Sequence, residues 1–230
     1  MKLKIFSLIA GLVLSLSMLD AQVDFGIVAG PNFQNMVGKD SNGDKITNGL
    51  IAGFHAGVTA AMPVATDFYF QSGLLFSQKG SRNNLGFMTT KAANDNYHTT
   101  TRVSYLELPL HLMFRPAFGD GHILVGFGPY VAFGLGGTQT VDYESIPALE
   151  QKIKFKNQIT SEDYWDLDHA YLRRFDAGAD IFAGYELAMG LWFRLNAQLG
   201  LLNMMPDVEE WDYESILKNT GFGVSVGYNF

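Results

Sequence analysis

Gly223-Val-Ser225-Val-Gly227 matches the pattern G-x-S-x-G, in which a sharp strand-to-helix turn lifts a serine hydroxyl toward an acyl carbon. Here apolar alternation runs on through Val226, Tyr228 and Phe230 and no helix follows. Ser225 therefore reads as a small strand residue and not as a nucleophile. Asp40-Ser-Asn42-Gly-Asp44 sets oxygen donors at the first, third and fifth positions of a calcium loop. Lys45 then stands where that loop needs glycine, and Ile51 where it needs a bidentate glutamate, which leaves an Asn-Gly hairpin tip. His55, His98, His111, His122 and His169 share no metal-ligand spacing. The sequence thus points to no catalytic residue, no metal site and no cofactor. A non-enzymatic protein is expected, with a rim-active membrane enzyme, a lipase or acyltransferase using His98 or His169, as an alternative.

A second group of residues suits recognition. Val141-Asp-Tyr143-Glu-Ser-Ile146 is echoed by Trp211-Asp-Tyr213-Glu-Ser-Ile216, and Glu162-Asp-Tyr-Trp165-Asp166 has the same character. Tyr143, Trp165, Trp211 and Tyr213 bring acid-flanked aromatic side chains to polar connections, where binding residues concentrate. Two readings stand: a surface for a ligand or extracellular partner, or strand extensions that pair with each other. Divalent cations bridging the carboxylates are a further option.

The elements that position these residues show a period of two. Eight strands are expected at about 23–35, 49–61, 68–80, 102–115, 122–137, 172–187, 190–202 and 218–230. The seventh sets Leu191, Phe193, Leu195, Ala197, Leu199 and Leu201 against Trp192, Arg194, Asn196, Gln198 and Gly200. Short connections at 62–67, 116–121 and 188–190 alternate with long polar ones at 36–48, 81–101, 138–171 and 203–218. This is the rhythm of an all-β, eight-stranded antiparallel up-and-down transmembrane barrel, with short periplasmic turns and long extracellular loops. A soluble barrel with an inward apolar face would need its other face rich in Lys and Glu. That face is instead crowded with glycine, and its charges are few and mixed. Eight strands leave an interior that side chains fill, so no open channel is expected. Glu107, Asp176, Asp180 and Glu186 against Arg115, Arg174 and Arg194 form the expected lumenal ion-pair network; a proton or ion path is the alternative.

Composition agrees. The 230 residues are 47% hydrophobic, with 25 glycines, 31 aromatics and no cysteine. Met1-Lys-Leu-Lys followed by the apolar stretch Ile5–Leu16 reads as a signal peptide over 1–21, leaving the barrel domain at 22–230. Without residues 1–21 the chain holds 14 basic and 22 acidic residues, a net charge of −8. Such a balance argues against nucleic acid as a partner.

Tyr105-Leu-Glu-Leu-Pro-Leu-His-Leu112, Gly126-Phe-Gly-Pro-Tyr-Val131 and Phe175-Asp-Ala-Gly-Ala-Asp-Ile-Phe-Ala-Gly-Tyr-Glu186 are similar to strands of the PorT-like outer-membrane β-barrel family. That family is related in shape to the OmpA and OmpX barrels of Gram-negative outer membranes. The resemblance covers nearly the whole mature chain and implies an outer-membrane location in contact with the lipid bilayer. It also implies a link to protein secretion, since some members assist a secretion apparatus, although the family shares no catalytic residues. The name porin-like would mislead for so narrow a bore. The terminal Phe230 resembles the aromatic signal read by barrel-assembly machinery.

Overall fold

The computed structural model describes residues 23–40, 43–46, 48–83, 97–143, 148–209 and 215–230. Eight long strands carry the fold: β1 Asp24–Lys39, β2 Ile51–Ala65, β3 Phe68–Asn83, β4 Tyr97–Phe114, β5 Gly121–Tyr143, β6 Phe175–Leu187, β7 Leu191–Gly200 and β8 Ile216–Asn229. Each pairs antiparallel with its sequence neighbours. β1 also pairs antiparallel with β8, from Gly26 opposite Asn229 to Lys39 opposite Ile216. That last ladder closes the sheet into a barrel without an edge. The Phe230 backbone N–H extends the closure by donating to the Phe25 carbonyl at 2.8 Å.

Through the apolar belt each strand keeps one parity, and in β5 a register shift opposite Ser104 and Tyr105 reverses it above that belt. Phe25, Ile27, Leu74, Leu108, Phe127, Ile181, Leu195 and Val224 lie exposed on the outside, while Val28, Leu75, Tyr105, Tyr130, Phe182 and Trp192 are buried in the lumen. An exposed apolar outer wall around a polar and aromatic interior is the arrangement that lipid, not water, stabilises. Aromatic pairs ring the wall near both ends. Phe68–Phe114 and Tyr228–Phe230 lie toward the short turns, and Phe33–Phe222, Phe54–Phe76 and Phe133–Phe175 toward the long loops. Phe25 and Phe33 are eight positions apart on β1, roughly 20 Å of height for a strand tilted by about 40°. No helix among the described residues is long and apolar enough to cross a membrane; the strands do so instead.

The short turns are set by backbone chemistry. Asp67, Gly119 and Gly190 take positive φ values of 61°, 60° and 86°, a region glycine enters at no steric cost and aspartate tolerates. β2 runs on to Ala65, past the expected turn, because a register shift between Pro63 and Ala65 absorbs the proline.

At the other end the barrel stands taller than its apolar pattern. β4 begins at Tyr97 and β5 ends at Tyr143, and Thr99–Thr101 lies opposite Gln139–Val141 in an extension without the apolar outer face of the belt. Leu149–Phe155 adds to β5 antiparallel, and His169–Leu172 lies parallel to 152–155. The sixth strand therefore starts at Phe175, not at 172. The 138–171 connection also holds α1, the single turn Ser161–Tyr164, with Thr160 and Asp163 closing a reciprocal capping box. Gln158–Ile159 pairs with Asp207–Val208, so the third and fourth long loops are stitched together.

Candidate functional site: the lumen plug and the rim above it

From the turn end upward, the inward side chains stack in layers. Arg115 closes the bottom, reaching Asp24 Oδ2 at 2.7 Å and Glu186 Oε1 at 2.6 Å, with its guanidinium over the Tyr69 ring. Above it Leu75, Met113, Leu124, Phe182 and Trp192 form an apolar layer. Gly126 makes room there, since a Cβ on it would sit 2.3 Å from Phe182 Cζ.

Arg194 lies on that layer, its guanidinium 4.5 Å from the Phe182 ring and 4.6 Å from the Trp192 ring. Its Nη1 donates to Gln71 Oε1 at 3.0 Å. Beside it His111 Nε2 stands 3.1 Å from Asp180 Oδ2. A cavity of about 40 Å³ bordered by Asn32, Asp180, Arg194 and Asn196 has room for about three waters.

Lys79 occupies the next level and is fully buried. Its Nζ is 2.7 Å from Glu107 Oε2, 3.2 Å from Asp176 Oδ2 and 4.0 Å above the Tyr130 ring. Asp176 Oδ2 accepts further bonds from the Tyr130 hydroxyl at 3.1 Å and Asn219 Nδ2 at 2.9 Å. Gln198 Nε2 donates to Glu107 Oε1 at 3.2 Å. A buried charge is tolerated only with this degree of pairing. Met36, Val103, Tyr105, Met204 and Leu217 then cap the lumen with a second apolar cluster.

Of the residues expected in the lumenal network, Glu107, Asp176, Asp180, Glu186, Arg115 and Arg194 lie inside. Arg174 does not. The chain leaves strand geometry at 173–174, Arg173 reaches outward to Asp207 Oδ1, and Arg174 is exposed, stacked over the Phe133 and Phe155 rings. An arginine beside an apolar wall is accommodated in this way, stem on the rings and charge toward water. Lys79, Asp24 and His111 complete the pairing and were absent from the expected set, although each carries the inward parity.

Ser225 does meet a histidine: its Oγ is 2.8 Å from His55 Nε2. Its single proton goes to Asn196 Oδ1 at 3.0 Å, so His55 donates to the serine and does not withdraw its proton. His98 and His169, expected in loops, lie on β4 and on the 169–172 strand.

Above the plug the stitched loops enclose a cavity of about 350 Å³. Its loop-three wall is held by two carboxylates. Asp163 takes Lys156 Nζ at 2.7 and 2.6 Å, and the bonds from Lys156 and from the Thr160 backbone hold it down at about 2. Asp166 accepts from the Asp168 backbone, His169 Nδ1 at 2.8 Å and the Tyr171 hydroxyl at 2.9 Å. The Asp168 N–H and then His169 likewise hold it at about 2. Desolvation, then the bond to Asp166, pushes Tyr171 up. Trp165 is 67% exposed and borders the cavity. Among the described residues no three His, Asp or Glu side chains converge as a metal site. Trp211, Tyr213 and the expected signal segment 1–21 lie outside the described residues, as does the Tyr143 side chain.

Comparison with known proteins places this architecture. No curated protein matches the chain. Ail, the attachment invasion locus protein of Yersinia pestis, is 12% identical, with 91% of this chain and 99% of that one covered and a TM-score of 0.38. Neisserial surface protein A is 9% identical over the same shares, with a TM-score of 0.40. The outer membrane protein AlkL in lipid bilayers is 14% identical, with 91% of each chain covered and a TM-score of 0.33. The sequence model described as outer membrane protein beta-barrel domain matches residues 16–205, most of the chain. The closed eight-stranded barrel with its apolar belt accordingly belongs to the outer membrane protein beta-barrel domain family and resides in the outer membrane.

Proposed function

We propose that this barrel is a sealed surface-interaction protein whose working face is the crown of loops three and four. The observation that carries the reading is the burial of Lys79 between Glu107 and Asp176 across the lumen, roofed by a second apolar layer. That stack favours a plug over a conduit, and it moves any recognition to the crown, where Trp165 and Leu167 stand exposed. The reading is non-enzymatic, because Ser225 and His55 are buried in the bore with the hydroxyl proton committed to Asn196. A photo-crosslinking side chain at position 165, used on intact cells, tests it. A discrete adduct that is missing when the probe sits at 119 in a short turn supports the crown as the contact surface. Equal labelling from both positions contradicts it.

A secretion-accessory role, the finer assignment suggested by the PorT resemblance, has one specific support. The three similar segments contain the plug residues Tyr105, Glu107, Tyr130, Asp176, Asp180 and Glu186. Deleting the gene and measuring release of secreted proteins decides it: reduced release favours the role, and unchanged release removes it.

A further inference from the structure

We infer that the cavity at the loop rim is a binding site for one uncharged small molecule with an apolar body. This goes beyond the surface role above, which needs no small ligand. At about 350 Å³ the cavity falls at the lower end of the roughly 300–1,000 Å³ range of small-ligand sites. Its floor is the apolar lumen cap, with which it shares Met36, Leu172 and Leu217, so a ligand entering from the loops meets a closed bottom. Ile46, Val141, Leu149, Ile159, Met205 and Val208 give it apolar walls from four separate chain segments.

The charges at its wall select the rest of the ligand. No lysine or arginine is among the described residues lining the cavity, its histidine, His169, is bound to Asp166, and its carboxylates are already held, Asp163 by Lys156 and Asp166 by His169 and Tyr171. A sulfonate, phosphate or carboxylate would therefore enter without a cationic partner.

The test uses the full-length barrel in lipid nanodiscs and N-phenyl-1-naphthylamine, a neutral probe with one N–H, against its 8-sulfonate counterpart. Signal from empty nanodiscs is subtracted. The expected result is saturable binding of the neutral probe near one per barrel, at least tenfold tighter than the sulfonate. Ala170→Trp and Val208→Trp, which fill the cavity from different loops, each remove the saturable component while the strand circular dichroism stays unchanged. Absence of a saturable component, equal affinity for the sulfonate, or full binding in both folded tryptophan variants would overturn the inference.

Discussion

Lys79 Nζ lies 2.7 Å from Glu107 Oε2, with the lysine side chain wholly buried and the glutamate nearly so. The two stand on adjacent strands, and Asp176 completes the site from β6 across the bore. Removing the cation alone leaves two carboxylates buried without it. Lys79→Met is expected to destabilise the barrel by about 3–5 kcal/mol in urea unfolding from lipid vesicles. The triple change Lys79→Met, Glu107→Gln, Asp176→Asn recovers most of that loss. A loss under about 1 kcal/mol for the single variant would show that Lys79 carries little of the plug.

Gly126 and Phe182 pack as a pair, since the three atoms nearest a Cβ at 126 all belong to the Phe182 ring. Gly126→Ala is expected to cost about 1–3 kcal/mol by overpacking. Phe182→Leu relieves that clash, so a double-mutant cycle yields a favourable coupling above about 0.5 kcal/mol. Additive effects would place the two side chains apart.

The loop-three wall is expected to loosen in acid. Asp163 and Asp166 are held at about 2 against an ordinary value of 3.8. Depressed carboxylates stabilise the folded loop above their unfolded value, and that contribution is lost as pH falls from about 4 through 2. The protection of 156–171 against hydrogen exchange, taken relative to the intrinsic rate at each pH, is expected to fall across that window while that of β6 and β7 is kept. Protection of 156–171 that is equal at pH 5 and pH 2 contradicts the assignment.

Phe230 is exposed on the lipid-facing wall, anchored by its backbone bond to Phe25. If its ring is read by assembly machinery, Phe230→Ser lowers the amount of assembled barrel in cells but leaves unaided refolding into vesicles unchanged. An equal loss in both settings would assign Phe230 a packing role only.

The lipid-facing pattern was legible because water never sees it. Apolar residues repeat at period two with little interruption, and Leu191–Gly200 shows both faces of β7 at once. The turns were legible as short connections between strands, which the positive φ values of Asp67, Gly119 and Gly190 then close. Above the membrane that signal disappears. Thr99–Thr101 and Gln139–Val141 form a ladder from β-branched and polar residues, whose strand preference carries no sidedness. Arg174 fits inward parity by number alone, and the break at 173–174 cancels it. The rim cavity depends on loop pairings far apart in sequence, such as Ile159 with Val208, which no local period encodes.

Single-barrel current recording in planar bilayers tests the sealed lumen most directly. The stacked Arg115, Arg194 and Lys79 layers predict no discrete conductance steps from the folded protein. Steady ohmic steps from the same preparation, persisting when 158–159 is cross-linked to 207–208, would contradict the plug.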